Sequence, residues 1–212
     1  MEGQRYMCKI GAIVLAAGIS RRMGKPKLLL PINGKPLFRY SVEVALRNHL
    51  KPIVVIAGRN INKIREHLQD LQDVEILYNP KYEEGMSSSL KLGILSVSNR
   101  VDAAMVFLAD QPFVSDLVVR NLVDEFKVSS KNELSIYRPK YQDMLGHPIL
   151  FKATLFSEFN SIYGDEGGKS IIKKYRHHLK IISFDHLEWG MDIDTPEDYK
   201  SILRIRNKRS GN

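Results

Sequence analysis

The chain has 212 residues, 43% of them apolar and 26% charged, and its 32 Lys and Arg exceed its 24 Asp and Glu by a net charge of +8. That composition excludes a largely disordered chain and suits one domain over residues 1–212, with 1–9 as an N-terminal extension and 207–212 as a frayed basic tail. One cysteine, Cys8, cannot form an internal disulfide, and no apolar run approaches the roughly 20 residues of a spanning helix, so a cytoplasmic protein off the membrane is expected, with anionic partners favoured by charge.

Residues 10–15 are apolar at consecutive positions, as in a strand buried on both faces, and the run stops at Ala16, Ala17 and Gly18. Pro36 then opens a helical pattern in which Leu37, Tyr40, Ser41, Val44 and Ala45 recur. The alternation returns as a strand at 53–57, a helix at 61–68, a strand at 74–78, a helix at 87–95 and a strand at 103–108. From Ser115 a further helix carries Leu117, Val118, Leu122 and Phe126 on or near one face. These are βαβ units, which predict a mostly parallel sheet. Beyond about residue 130 the pattern gives short strands at 134–137 and 147–151, helices near 154–159 and 170–175, and a strand at 179–184. Thr195, Pro196 and, at the third helical position, Asp198 start a last helix running to about 205.

In an open parallel sheet the ligand lies beyond the carboxyl ends of the strands, which places the loops after Leu15, Ala57, Tyr78 and Leu108 on one edge. The first of these loops, residues 15–27, joins the small residues Ala16, Ala17, Gly18 and Gly24 to Arg21, Arg22, Lys25 and Lys27. Small residues let backbone amides approach an anion, and the cations neutralise its charge. The run 164–170 is no Walker loop, because Tyr163 stands where that pattern needs glycine. No aromatics interleave with the basic residues, so nucleic acid is not an expected partner. One cysteine and scattered histidines give no zinc spacing.

Residues 15–27 resemble the signature L-A-A-G-x-S-x-R-M-G-x-x-K of the MobA-like nucleotidyltransferases, particularly the MocA-type molybdenum cofactor cytidylyltransferases. The likeness continues through 85–90, through Asp110, Gln111 and Pro112, through Gly146, His147 and Pro148, through Gly164, Asp165, Gly167 and Gly168, and through 192–196. It implies a Rossmann-like three-layer α/β/α fold with a mostly parallel sheet and a magnesium-dependent transfer of a nucleotide from a nucleoside triphosphate. The triphosphate would lie on Leu15, Ala16, Ala17, Gly18, Ser20, Arg22, Met23, Gly24 and Lys27, with Ser87 and Ser88 as nucleotide contacts or as helix caps. Catalytic work would fall to Arg22, Lys27 and Asp110.

Asp110 ends an apolar strand and precedes Pro112, so its carboxylate faces the ligand edge. Magnesium takes hard oxygen ligands, commonly one or two of them protein carboxylates, and Asp110 with Asp194 supplies such a pair, with Asp192 as the alternative second ligand. His147, Asp165 and Lys169 are candidate acceptor contacts, each with a structural role as the alternative. The acceptor expected from the resemblance is a small phosphorylated molecule, first molybdopterin, with a molybdoenzyme as client. A sugar- or alcohol-phosphate transferase and a non-catalytic nucleotide-binding maturation factor are the competing expectations. Ala17 stands where the guanylyltransferases resemble L-A-G-G, which favours CTP over GTP.

Overall fold

The computed structural model describes residues 8–129 and 133–209. β1 (Ile10–Ala16) leads through the basic loop to a small hairpin of β2 (Pro31–Ile32) and β3 (Lys35–Pro36). Then come α1 (Arg39–Arg47), β4 (Ile53–Ala57), α2 (Ile61–Glu66), β5 (Val74–Tyr78), α3 (Met86–Val97), β6 (Ala103–Leu108) and α4 (Asp116–Ser129). The second half holds β7 (Ile136–Tyr141), β8 (Met144–Leu145), β9 (Ile149–Lys152), α5 (Lys169–Lys174), β10 (Leu179–Phe184) and α6 (Pro196–Arg209).

The sheet runs β5-β4-β1-β6-β9-β7-β10, with β8 folded onto β7. β5, β4, β1 and β6 are mutually parallel, and β10 is parallel to β7, while β9 is antiparallel to both of its neighbours. β1 lies between β4 and β6, with Val14 level with Val55 on one side and Phe107 on the other. Its consecutive apolar residues are explained by helices on both faces: Ala12, Val14 and Ala16 join a core with Val42 and Val118, and Ile13 joins a second core with Leu90 and Ile94. The chain leaves β1 towards β4 and later returns on the other side of β1 as β6, so a crevice opens beyond the carboxyl ends of β1 and β6.

The structure bears out the mostly parallel sheet and the Rossmann-like arrangement, and departs from the expected elements in three places. Pro36 lies in β3, with Leu37 N–H donating to Leu30 O and Phe38 N–H to Leu28 O, so backbone pairing keeps the chain extended and α1 starts only at Arg39. The helix expected at 154–159 is a run of 3-10 turns, Ala153–Ser161, which still buries Leu155, Phe156 and Phe159. β7 continues through Pro139, whose carbonyl accepts from Gly146 N–H. The backbone of α6 reaches Arg209, so only residues 210–212 of the expected frayed tail lie outside the described residues, as do 1–7 of the N-terminal extension.

The start of α6 is a reciprocal capping box. Asp198 N–H donates to Thr195 Oγ1 at 3.1 Å, and Asp198 Oδ2 accepts from the N–H groups of Thr195 at 2.8 Å and Asp194 at 3.1 Å. Replacing Asp198 with Ala is expected to lower stability by about 0.5–2 kcal/mol, the range for a lost helix cap, read as a shift of the urea midpoint with unchanged slope.

Candidate active site

The basic loop is folded by its own small residues. Ser20 adopts the left-handed conformation (φ 58°, ψ 40°), Met23 N–H closes a 3-10 turn on Ser20 O at 3.1 Å, and the buried Met23 side chain anchors that turn. Lys27 N–H donates to Ser20 Oγ at 3.2 Å, so one serine ties the two ends of residues 20–27 together. The loop thereby turns the Lys27 side chain inward until only 10% of it is exposed.

There the Lys27 ammonium meets two carboxylates, Asp110 Oδ2 at 2.6 Å and Asp194 Oδ1 at 2.8 Å. Arg22 Nη2 adds a third contact at 2.7 Å to Asp194 Oδ2. Desolvation alone would lower the Lys27 pKa, but Asp110 and Asp194 outweigh it and hold the ammonium above its ordinary value. Desolvation likewise opposes ionisation of Asp194, and Lys27 and Arg22 overcome it, leaving this carboxyl more acidic than usual. Residues far apart in sequence thus gather at one point, while among the described residues no group of three His, Cys, Asp or Glu assembles for a metal. The Asp110–Asp194 pair still offers hard oxygen donors facing a single cation, and the ammonium bridging them occupies the kind of place a divalent ion takes.

This constellation lies in a cleft of about 420 Å³, within the usual range of small-ligand sites, whose lining includes Ala17, Gly18, Arg22, Lys27, Asp110 and Asp194. Gly18 faces open space. The opposite wall comes from Tyr82, Glu83, Gly85, Met86, Ser89 and Asp165.

Of the two serines expected at the nucleotide, both spend their hydroxyls on the protein. Buried Ser87 donates to Tyr163 O at 3.0 Å and accepts from Gly167 N–H at 3.2 Å, and Ser88 donates to Lys81 O at 2.7 Å. Ser89 is the serine of this run that lines the cleft. It is oriented by Asn79, whose amide donates to Ser88 Oγ at 2.8 Å and to Ser89 Oγ at 2.9 Å. Asn79 was missed in the sequence, where a polar residue just past a strand reads as an ordinary turn.

Asp165 accepts from Met86 N–H at 3.1 Å, and a Cβ on Gly85 (φ 101°) would fall 2.4 Å from the Gly164 backbone. The 163–167 loop is therefore latched onto the start of α3, and Asp165 lines the cleft through that latch. His147 and Lys169 are not on the cleft lining. Burial pushes the His147 imidazole down to about 3, with Arg138 and Lys169 adding to the shift, so it is neutral at physiological pH.

Asp192 lies close to the Lys27 cluster but makes its hydrogen bond outside it. Gln111 Nε2 donates to its Oδ1 at 2.7 Å and to Gly190 O at 3.3 Å. Although the residue as a whole is exposed, desolvation of its carboxyl, followed by the nearby Asp110 charge, raises its pKa to about 6 against the opposing Gln111 hydrogen bond.

A basic loop with small residues after the first strand, facing a carboxylate pair at the crevice, is the arrangement of a nucleotide-handling α/β protein. Residues 12–179 match the model of the MobA-like NTP transferase domain, and the chain belongs to that family; it is a nucleotidyltransferase of the MobA-like type. It is 27% identical over 199 residues to the nicotine blue oxidoreductase of Paenarthrobacter nicotinovorans, covering 92% of this chain and 96% of that one. It is 25% identical over 193 residues to the molybdenum cofactor cytidylyltransferase of Escherichia coli K12, covering 91% and 95%. Among solved structures it is similar to Rv0371c of Mycobacterium tuberculosis H37Rv, with a TM-score of 0.80 and 28% identity over 93% of this chain and 98% of that one. A manganese complex of Rv0371c superposes with a TM-score of 0.75 and 26% identity over 92% and 98% of the two chains.

The raised Asp192 pKa has a sign that can be measured. Between its unfolded value of 3.8 and about 6 the folded chain holds this proton longer than the unfolded chain does, so the group's contribution to stability falls as pH rises through that window. In metal-free protein, Asp192→Asn is expected to melt above wild type at pH 7, with the difference shrinking as pH falls from about 6 and gone below about 4, where the wild-type carboxyl is protonated in both states.

Proposed function

We propose that this protein transfers CMP from CTP to a small phosphorylated acceptor, molybdopterin being the first choice, with magnesium as the metal. The observation that carries the reading is the meeting of Lys27 and Arg22 with Asp110 and Asp194 at the mouth of the loop after β1. An acceptor phosphate oxygen attacks the α-phosphorus, the bond from that phosphorus to the bridging oxygen of the β-phosphate breaks, and pyrophosphate leaves in line. No protein nucleophile is required, and catalysis comes from positioning and charge neutralisation.

Asp110 and Asp194 would hold the divalent cation, and when bound it supplies Lewis-acid stabilisation of charge on the α-phosphate and the leaving group. Support for a metal comes from the hard donor pair and from the manganese complex of Rv0371c. Lys27 and Arg22 each carry a positive charge at the cleft, and each can donate to phosphate oxygens once its carboxylate partners are engaged elsewhere. The backbone of Ala17 and Gly18 approaches the anion from the other side, while Ser89 offers a hydroxyl to the nucleotide.

Base choice rests on Ala17, which lines the cleft and is only 8% exposed. A methyl group there narrows the space beside the base and suits the smaller pyrimidine. The possibility of a sugar- or alcohol-phosphate acceptor is addressed by the same experiment: magnesium-dependent pyrophosphate release, with CTP, GTP, ATP and UTP crossed against molybdopterin and a panel of sugar and alcohol phosphates. CTP is expected to exceed GTP by about tenfold in kcat/KM, a discrimination of about 1.4 kcal/mol. Preference for GTP would overturn the base assignment. Asp110→Asn is expected to lose about a hundredfold or more in turnover, the scale for removing a group that stabilises transition-state charge, with thermal melting retained. Near-normal turnover in that variant would remove Asp110 from the reaction.

A further inference from the structure

Asp110 and Asp194 reach the cleft by different routes. Asp110 follows β6 directly, in the interior of the sheet. Asp194 belongs to a strap, residues 190–195, that must come back from β10 at the far edge and cross the ends of β7 and β9 before α6 begins. A carboxylate on such a strap has no strand register of its own to place it.

Three hydrogen bonds fasten the strap to the turn after β6. Ile193 N–H donates to Asp110 O at 3.1 Å, and the Gln111 amide donates to Gly190 O at 3.3 Å and to Asp192 Oδ1 at 2.7 Å. Two of the three come from Gln111, a side chain only 3% exposed. Its Oε1 is the one buried side-chain polar atom without a hydrogen-bond partner among the described residues. The donor end of this buried amide is thus spent on the strap, where its N–H groups face Gly190 O and Asp192 Oδ1.

We propose that Gln111 is a positioning residue, and that the Gln111–Asp192 pair is the strut that sets Asp194 beside Asp110 and Lys27. This rests on the metal reading given above only for its catalytic consequence. Asp192 then serves by accepting from Gln111, and the second metal carboxylate is Asp194. The strut works through geometry: with Asp192 and Gly190 both held by one amide, the residues on either side of Ile193 are fixed against the turn that carries Asp110, and the next carboxylate along the chain falls 2.8 Å from the Lys27 ammonium.

The test exchanges donor and acceptor. Gln111→Glu removes the N–H and sets a carboxylate against Asp192. Combining it with Asp192→Asn restores a hydrogen bond of opposite polarity, and Asp192→Asn alone is the reference. The chain's one tryptophan, Trp189, adjoins the strap and reports its release by acrylamide quenching without any metal. Manganese uptake in the presence of CTP, followed by electron paramagnetic resonance of the free ion, reports the carboxylate pair.

Gln111→Glu is expected to expose Trp189 to quenching and to weaken manganese binding by about tenfold or more, the effect of losing an outer partner of a metal site. The double variant, which regains the link to residue 192 but not the bond to Gly190 O, is expected to recover part of both losses and to fall between Gln111→Glu and the Asp192→Asn reference. Quenching unchanged in Gln111→Glu, or a double variant as loose as the single one, overturns the strut. A wild type that takes up no manganese with CTP overturns the metal reading instead, and the tryptophan quenching still decides the strut.

Discussion

One ammonium between two carboxylates organises this molecule. Lys27 lies 2.6 Å from Asp110 and 2.8 Å from Asp194, and its side chain is nearly excluded from water. A desolvated lysine without partners would shed its proton, and two carboxylates this close would repel each other, so each group makes the others tolerable. Removing the ammonium would leave two carboxylates facing each other, whereas replacing it by another cation would not, and with Asp110 neutralised Lys27 and Arg22 still share Asp194. The arrangement is therefore open to exchange with a cationic ligand.

The fold is the means of bringing those three side chains together. The sheet order puts β1 beside β6, and their carboxyl ends deliver the basic loop and Asp110 to the same crevice without further help. The third member comes from the far edge of the sheet by way of β9, the antiparallel strand that lets β7 and β10 be added beyond β6. The tie of Lys27 N–H to Ser20 Oγ and that of Asp194 N–H to the Asp198 carboxylate then do locally what the sheet does globally: each fixes the backbone that carries a charged side chain rather than the side chain itself.

The parallel half of the fold was legible because β1, β4 and β6 are buried on both faces and the helices between them carry apolar stripes. The second half was less so. Pro139 interrupts the strand pattern of β7, and the buried residues of the 153–161 segment follow 3-10 turns that helical spacing does not describe. In the site, Arg22, Lys27 and Asp194 could be named because they fall in motifs that resemble the MobA-like family, and Asp110 also because it follows an apolar strand end. The serines could not be sorted from sequence: Ser87, Ser88 and Ser89 are chemically identical, and only the latch to residues 163–167 and the Asn79 amide decide which hydroxyls are spent and which one faces the cleft. Gln111 was visible as a motif residue, but its partners on the strap lie beyond what local pattern reveals.

Relatives of this chain carry names from different reaction classes, an oxidoreductase and a cytidylyltransferase among them, at similar identity. A shared fold is then a weak guide to chemistry, and the side chains at the crevice must decide. In this chain they form a cluster of two cations and two carboxylates beside a loop of small residues after the first strand. Such a cluster can neutralise and orient phosphates and hold a hard cation, while nothing in it accepts or donates electrons. Hydride or electron transfer would have to be supplied entirely by a bound carrier, whereas displacement at phosphorus needs only the charges already in place.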